Sequence, residues 1–517
     1  MNLTRRTALS AGLVSTALPR FARAQDNDRR PAMRVAVQKI SNTLTLDPLR
    51  EQSSNASERW MASILENLIG RNQQGGLERV PALATAWRRI DDLTLEFDLR
   101  QGVIMHDGRE FTSEDVLQSF GEGRIFGPSV PKDITAIAQR HFPTLDRLQP
   151  TGRYGIRFIT SKPDVTLEGR LSAGGGEIIS AQSWRHRQTW QSTSIGTGPY
   201  RVAEFHPGNR LVLEAHDAYW GGRPPVRWVV FLEVPEAASR IAGLRSGDFH
   251  FACDLMPDQA IALIADPKVQ VQGGMVPNHR ILAFDKTHPP LDNPKVRLAM
   301  AHAVDGQAIV DSLWAGKSRV PPGLQFEFYG PMFVPRWRVP EYNPPLARTM
   351  LLSAGYNGEE IIYRARHNYY PAEVSTAQIL LEYWRQVGLN VKLEICENWA
   401  QVLTKHGPRG VRDWSNSATF DDPVSSLVAQ HGPNGAQQSN GEWSNAEMNA
   451  LCTQMEASTD IASRQAMFRR MLQICEREDP AYIVLHQNAV FTAHRKGIPW
   501  KASPSFFLDF SVRGFSA

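Results

Sequence analysis

Residues 81–116 form the stretch that decides the fold, and they read PALATAWRRIDDLTLEFDLRQGVIMHDGREFTSEDV. At its centre apolar and polar residues alternate one by one: Leu93, Thr94, Leu95, Glu96, Phe97, Asp98 and Leu99. A period of two places apolar side chains on one face of a strand and polar side chains on the other. The stretch therefore predicts a strand with one buried face and one face in water.

The residues after this strand predict a turn and then a helix. Residues 106–108, His-Asp-Gly, are typical of a turn. Thr112 is followed three residues later by Asp115, which is the spacing of a capping box at a helix start. The helix is expected to continue through Val116 and Phe120. This order of strand, turn and helix carries no chemistry of its own.

The rest of the chain alternates further strand and helix patterns. Strands are predicted at residues 211–214, 228–234 and 390–395, and helices at residues 236–247, 293–303, 305–316 and 377–387. Gly247 suits the left-handed end of the first of these helices. Asn293 and Pro294 suit the cap and first position of the second. The sequence therefore predicts an α/β protein.

Several of these segments carry a resemblance to a known family when they are taken together and in order. They are residues 81–116, IGTGPY at 195–200, NPKVRLAMAHAVDGQAIVDSLWAG at 293–316 and AQILLEYWRQVGLNVKLEI at 377–395. The set resembles the extracytoplasmic solute-binding proteins of peptide-type ABC importers, the oligopeptide, dipeptide and nickel binding family known as family 5. The resemblance extends from about residue 43 to residue 483.

The resemblance implies a two-lobed periplasmic binding protein fold with a hinge and an extra inserted domain. Lobe one is expected to be discontinuous, and the implied bounds are 25–66, 190–284 and 483–517 for lobe one, 67–189 for the inserted domain and 285–482 for lobe two. The proline-containing segments 288–290 and 479–480 suit the crossing strands or their flanks, because proline interrupts regular structure. Closure of the lobes around ligand is the expected motion.

The first 24 residues, MNLTRRTALSAGLVSTALPRFARA, predict a signal peptide. The apolar run from residue 8 to residue 18 is too short to span a bilayer. Residues 22–24, Ala-Arg-Ala, suit a cleavage site. Arg5 and Arg6 resemble a twin-arginine export signal, but Ala8 stands where such signals usually have phenylalanine, so Sec export remains an alternative. The expected location is the periplasm.

The charge balance argues against nucleic acid as a partner. The chain has 57 Lys and Arg residues and 53 Asp and Glu residues. Removal of the predicted signal takes away four arginines and no acid, which leaves 57 − 4 = 53 basic residues against 53 acidic ones. A neutral mature chain has no electrostatic attraction to nucleic acid or to an anionic membrane.

The sequence offers no motif for catalysis, for a metal or for a cofactor. The patterns HExxH, GxSxG and CxxC do not occur, so we expect a binding protein rather than an enzyme. A periplasmic hydrolase of similar substrates is the rival interpretation, and a sensory or chaperone-like binding protein of the same fold that feeds no transporter is a third. Among the four cysteines, Cys452 and Cys475 are the pair that could form a disulfide. The resemblance implies a monomer that delivers its ligand to inner-membrane ABC permease subunits.

The candidate ligand residues lie in the predicted second lobe. Residues 414–423, WSNSATFDDP, resemble a family loop in which an Asp four residues before Pro pairs with the ammonium group of a peptide. Thr419 stands at that place, and Asp421 lies nearby. Because Thr419 carries no charge, a blocked peptide or an opine-like amino acid–sugar conjugate remains an alternative to a peptide, and so does another small polar solute.

Three further residues are predicted to contact ligand. Arg366 lies near the position where dipeptide-binding relatives place an arginine that binds a carboxylate. Trp414 and Tyr369 are aromatic side chains near the same loops, and such rings can cover the apolar or sugar parts of a ligand. Trp384, which shares a helix with apolar residues, is expected to pack in the core instead.

Overall fold

The computed structural model describes residues 28–51, 55–186, 192–367 and 369–515, so the predicted signal peptide lies outside the described residues. The strands in these ranges are β1 Ala32–Val37, β2 Ile69–Arg71, β3 Arg79–Pro81, β4 Ala84–Asp91, β5 Thr94–Leu99, β6 Leu145–Gly152, β7 Gly155–Thr160, β8 Tyr200–His206, β9 Arg210–Ala215, β10 Trp228–Glu233, β11 Phe251–Ala252, β12 Val269–Phe284, β13 Ile361–Arg366, β14 Val391–Cys396, β15 Val411–Ser417 and β16 Tyr482–Arg495.

Helices cover the faces of the sheets. The longer ones are Ser113–Phe120, Lys132–His141, Ala237–Ser246, Pro257–Ile264, Pro294–His302, Gly306–Trp314, Pro344–Ala354, Glu373–Gln386, Ala446–Ala457 and Ile461–Gln473. The short ones are Pro48–Glu51, Glu58–Ile64, Leu167–Leu171, Ala181–Trp184, Trp399–Val402, Leu427–His431 and Ala436–Ser439. Single turns of other helix types occur at Glu327–Met332, Pro423–Ser425, Ile474–Glu478 and Arg513–Phe515.

A ten-stranded mixed sheet extends through both lobes in the order β14-β13-β15-β12-β16-β11-β1-β10-β9-β8. Two adjacent interior strands, β12 and β16, are long and antiparallel, and they pair from Val269 with Arg495 to Ala283 with Tyr482. The strands β11, β1, β10, β9 and β8 lie on one side of this pair and form lobe one. The strands β15, β13 and β14 lie on the other side and form lobe two. The α/β, two-lobed fold predicted from the sequence is confirmed.

The strand directions place a cleft between the lobes. In lobe two, β15 is antiparallel to β12, and β13 and β14 run parallel to β15, so their carboxyl ends point toward lobe one. In lobe one, β11 is antiparallel to β16, and β1 and β10 run parallel to β11, so their carboxyl ends point toward lobe two. Ligands of open α/β sheets bind beyond the carboxyl ends of the strands.

A separate four-stranded antiparallel sheet, in the order β4-β5-β7-β6, lies between β1 and β8 in the chain. Its core contains Phe97, Phe120, Phe142 and Phe158, whose rings meet edge to face. These strands fall inside the range predicted for the inserted domain. The exact bounds of the lobes and of the inserted domain stay a prediction.

The alternating stretch forms β5, but its polar face is not entirely in water. Leu95, Phe97 and Leu99 are buried as predicted, but the prediction is wrong at Leu93, which lies in the turn before β5 and is 38% exposed. Glu96 is only 6% exposed, because Arg88 and Arg157 from the neighbouring strands pair with its carboxylate and cover it. The prediction of a solvent-exposed polar face is therefore wrong at Glu96.

The predicted helix ends agree closely with the structure. Thr112 and Asp115 form a capping box at the start of Ser113–Phe120. The side chain of Asn293 accepts a hydrogen bond from the backbone N–H of Lys295, and Pro294 is the first residue of its helix. Gly247 ends its helix with a φ of 92°, in the left-handed region.

The four cysteines are buried free thiols, so Cys452 and Cys475 form no disulfide in this structure. Both belong to one lobe-two core, where Cys475 Sγ lies 3.9 Å from Met448 Sδ. Trp384 is fully buried, as predicted. Within the described ranges, no helix combines the length and the apolar character that crossing a membrane would need.

Candidate ligand-binding cleft

A cavity of about 720 Å³ lies between the lobes, and its wall includes Ser417 at the carboxyl end of β15. Most of its wall comes from lobe one and from the segments that precede and follow the four-stranded sheet. Lobe two contributes residues 417–419, and Pro277 comes from β12 itself. Pro277 lies where the pairing of β12 with β16 shifts between Met275 and His279. The cavity therefore contacts both lobes and one strand that joins them.

Glu66 is the centre of a hydrogen-bond network in the cavity wall. Its carboxylate accepts hydrogen bonds from Tyr219 Oη at 2.8 Å, Trp220 Nε1 at 2.8 Å and Thr197 Oγ1 at 2.9 Å. Burial raises the pKa of Glu66, whereas these hydrogen bonds oppose the shift. Arg513 donates to Tyr219 Oη at 3.0 Å. This part of the wall therefore combines a carboxylate with aromatic side chains that are hydrogen-bonded to it.

Further charged groups of both signs line the cavity. Burial raises the pKa of Glu58 and that of Glu177 to about 7. Asp509 is buried and lines the same space. Arg71 lines it as well, and burial lowers the pKa of its guanidinium. The wall can therefore recognise a ligand that carries both positive and negative groups.

The lobe-two loop predicted to bind ligand reaches the cavity at Thr419. Thr419 lines the cavity, and its carbonyl oxygen accepts a hydrogen bond from Arg71 Nη1 at 3.0 Å. The Asp421 carboxylate lies 3.1 Å from Arg79 Nε, so this acid is already paired across the cleft. Asp422 caps the turn Pro423–Ser425, as its place before a proline indicates.

Trp414 lies away from the wall of this cavity. Its ring packs against the lobe-two core, and the Arg412 guanidinium stacks on it, with Cζ 3.7 Å from the ring centre. Arg412 is held in turn by two hydrogen bonds of 2.6 and 2.7 Å to Glu442. The structure thus does not bring Trp414 together with Thr419 in the wall.

Arg366 and Tyr369 lie together at the carboxyl end of β13, on the edge of lobe two that faces lobe one. Arg366 Cζ is 4.9 Å from the ring centre of Tyr369 and 5.6 Å from that of Trp399. Arg366 Nη2 donates to the carbonyl oxygen of Glu397 at 3.1 Å. Neither Arg366 nor Tyr369 is part of the described wall of the 720 Å³ cavity.

Residues in the wall that faces the lobe-two loop were not predicted from the sequence. Glu66 and Arg71 lie on either side of a short apolar segment, and the only local signal is a charged residue inside the apolar run MASILENLI. Gln74 follows in the turn after β2 and also lines the cavity. The side chains of Glu66 and Arg71 are positioned in the wall by hydrogen bonds to residues far away in the chain. Within the described ranges, no group of three or more His, Cys, Asp or Glu residues could hold a metal ion.

The fold and the cleft define a protein that binds a small solute between two lobes. Residues 78–438 match the family model described as bacterial extracellular solute-binding proteins, family 5 middle, so the chain belongs to this family.

Among curated relatives, the chain is 28% identical over 469 residues to heme-binding protein A of Haemophilus influenzae, and the match covers 81% of each chain. It is 25% identical over 510 residues to di/tripeptide-binding protein 2 of Pseudomonas aeruginosa, which covers 90% of this chain and 92% of the relative.

Solved structures show the same fold at lower identity. The periplasmic binding protein DppA of Helicobacter pylori, in complex with the peptide STSA, matches with a TM-score of 0.79 and 20% identity, and the match covers 94% of this chain and 97% of DppA. The binding protein MoaA of A. tumefaciens, in complex with mannopinic acid, matches with a TM-score of 0.77 and 20% identity, with coverage of 92% and 97%.

Proposed function

We propose that this protein is the periplasmic substrate-binding component of an ABC import system and that it carries peptides to an inner-membrane permease. The observation that carries the proposal is the 720 Å³ cavity between the lobes, lined by acids, arginines and aromatic rings. Its volume lies in the range of small-molecule sites, roughly 300–1,000 Å³. A short peptide carries an ammonium group, a carboxylate and apolar side chains, and the wall offers a partner for each.

The proposal includes a route and a working cycle. The predicted signal peptide, with its twin-arginine or Sec route, delivers the chain to the periplasm. The monomer binds ligand, the lobes close, and the closed form docks on the permease subunits. A ligand shifts this equilibrium by as much as its affinity differs between the open and closed forms.

An amino acid–sugar conjugate of the opine type is a second candidate ligand. Thr419 stands where peptide-binding relatives are expected to carry an acid, and its side chain is uncharged. The structural similarity to MoaA, whose solved complex contains mannopinic acid, supports the same candidate. Native mass spectrometry of protein purified from its own host would identify a co-purified solute and decide between the two.

Ligand is expected to reduce the radius of gyration of the protein in small-angle scattering. The described structure already has contacts across the cleft at Arg71–Thr419 and Arg79–Asp421. Without ligand, the measured value should exceed the value calculated from this structure, and saturating ligand should bring the two together. A tightly bound ligand that leaves the scattering curve unchanged would contradict closure.

Thr419→Asp is expected to strengthen the binding of peptides with a free amino terminus. A charge-assisted hydrogen bond contributes about 1.5–3 kcal/mol, or roughly 10- to 150-fold in affinity. Because Arg71 contacts the carbonyl group of Thr419, it will compensate part of the new charge, and we expect the lower end of this range.

The measurement for Thr419→Asp is calorimetry with peptides that have a free or an acetylated amino terminus. Thr419→Asn is the matched control, because it has the shape of Asp without the charge. Only Thr419→Asp should increase the preference for the free amine. If wild type already binds free-amine peptides tightly and Asp421→Asn abolishes this, Asp421 is the ammonium partner instead.

A further inference from the structure

The guanidinium of Arg71 is held in place but is not fully paired. Its Nε donates to the carbonyl oxygen of Leu77 at 3.3 Å, and Nη1 donates to the carbonyl oxygen of Thr419 at 3.0 Å. Its Nη2 is buried and has no hydrogen-bond partner among the described residues. A buried N–H group without a partner costs free energy, and for a charged group the cost is larger. A group that occupies the cavity and accepts from Nη2 would remove this cost.

Gln74 supplies a second set of unpaired polar atoms in the same cavity. Its side-chain Nε2 and Oε1 are both buried without a hydrogen-bond partner in the described structure. Gln74 and Arg71 both line the 720 Å³ cavity, and they lie three residues apart, at the end of β2 and in the turn that follows. Two buried polar side chains that each have unpaired hydrogen-bonding atoms thus belong to the same stretch of the cavity wall.

Among the described residues, no acid lies within salt-bridge distance of Arg71. Within the described ranges, the salt bridges do not include Arg71, although Glu58 and Asp421 act on it at longer range. Asp421 is paired with Arg79, 3.1 Å away. Arg79 is the residue that faces Arg71 across β2 and β3. Arg79 is therefore paired with a carboxylate of the protein, whereas Arg71 is not.

We infer that Arg71 and Gln74 form a subsite for a carboxylate of the ligand. A carboxylate accepts hydrogen bonds in the plane of a guanidinium and also accepts from a neighbouring amide, and charge-assisted bonds of this kind are about twice as strong as neutral ones. The inference rests on the proposed solute-binding function and narrows it, because the ligand must carry a free acid. In a peptide this acid is either the carboxyl terminus or an acidic side chain.

The position of this subsite couples binding to closure. Arg71 comes from the segment before the four-stranded sheet, but its Nη1 bonds to the lobe-two loop. A carboxylate on Nη2 would therefore fix the same guanidinium that joins the two sides. Arg366, the arginine predicted from the sequence to bind a carboxylate, lies outside this wall and is the rival for the role.

The test compares ligands with and without the acid on matched arginine variants. The ligands are tripeptide libraries that differ in two ways: the carboxyl terminus is a free acid or an amide, and an acidic side chain is present or absent. Each library is titrated into wild type, Arg71→Gln, Arg79→Gln and Arg366→Gln. In wild type the acid form should bind roughly 10-fold or more tightly than its neutral counterpart. The type of acid that shows this preference tells the carboxyl terminus from a side chain.

Arg71→Gln should remove the preference for the acid. Arg79→Gln should lower the affinity for the acid and the neutral form equally, so the preference for the acid remains. Arg71→Lys, which retains the charge, should restore part of the preference. Melting temperatures of all variants confirm that each is folded. Retention of the full preference in Arg71→Gln, or its loss in Arg366→Gln alone, would overturn the inference.

A second set of probes separates this subsite from the proposed peptide function. Glutarate and its diamide are compared by thermal shift on wild type and Arg71→Gln. If no tripeptide binds, but glutarate stabilises wild type more than its diamide and Arg71→Gln abolishes the difference, the carboxylate subsite is supported and the peptide function fails. If tripeptides bind with no preference that depends on Arg71, the subsite fails and the peptide function stands. If neither class binds, both fail.

Discussion

Gly273→Ala is expected to lower the free energy of unfolding by about 2–5 kcal/mol, as the sum of backbone strain and a steric clash. Gly273 lies in β12 with a φ of 117°, a backbone conformation that residues other than glycine rarely adopt. A Cβ atom at this position would lie 2.1 Å from the carbonyl oxygen of Val490, a backbone atom of β16 that cannot rotate away. The change thus separates the two strands that join the lobes.

Gly274→Ala is the matched control for this prediction. Gly274 is the next residue of the same strand, its φ is not positive, and a Cβ atom there would meet nothing within 4 Å. The free energy of unfolding of Gly274→Ala should stay within about 0.5 kcal/mol of the wild-type value. Urea unfolding followed by circular dichroism measures both variants. Equal stability of the two would show that β12 adapts to a side chain at Gly273.

Arg280→Met is expected to have a comparably large effect, because it removes the cation from a buried charged cluster in lobe two. Arg280 and Asp413 are each 1% exposed, and Arg280 Nη2 lies 2.6 Å from Asp413 Oδ2. Tyr363 donates to the other carboxylate oxygen at 2.8 Å, and the guanidinium lies 3.7 Å over the ring of Tyr370. Removal of one partner from a buried pair costs about 3–5 kcal/mol.

The defect of Arg280→Met should depend on pH with a definite sign. Burial raises the folded-state pKa of Asp413 from 3.8 to about 7, while Arg280 opposes the shift. Without Arg280 this pKa rises further, so above pH 7 the folded variant must hold a proton that the unfolded chain releases. Stability of the variant then continues to fall with rising pH where wild type levels off.

The measurement is urea unfolding at pH 6 and at pH 8.5, with Arg385→Met as control. Arg385 pairs with Glu382 on an exposed helix surface, and such pairs contribute about 0–1 kcal/mol. We expect a small effect of Arg385→Met at both pH values and a larger defect of Arg280→Met at the higher one. A defect of Arg280→Met that is equal at the two values would show that Asp413 does not take up the proton.

Local signals in the sequence predicted the elements well. The capping box at Thr112 and the cap at Asn293 depend on hydrogen bonds between residues two or three positions apart, so the sequence contains all the information needed. Gly247 is predictable for the same reason, since its left-handed φ concerns one residue. The two-lobed fold followed from the resemblance rather than from these signals.

Contacts between distant residues could not be predicted in this way. Glu96 is buried because Arg88 and Arg157 come to it from adjacent strands, and the strand pairing is not visible in the local pattern. Arg71 acquires its place in the cavity through Thr419, which is 348 residues away in the chain. The resemblance to the family loop predicted that Thr419 lies at the ligand site. Its partner Arg71 lies in a segment that contains no recognisable motif.

The order of the strands also has a consequence for biogenesis. β16, the last strand along the described chain, lies in the interior of the ten-stranded sheet between β12 and β11. Until residue 495 has left the ribosome, the facing edges of β12 and β11 have no partner, and unpaired edges readily bind other chains. Premature collapse of an incomplete chain is thus a hazard, and a factor that holds the nascent chain extended would protect it until β16 arrives.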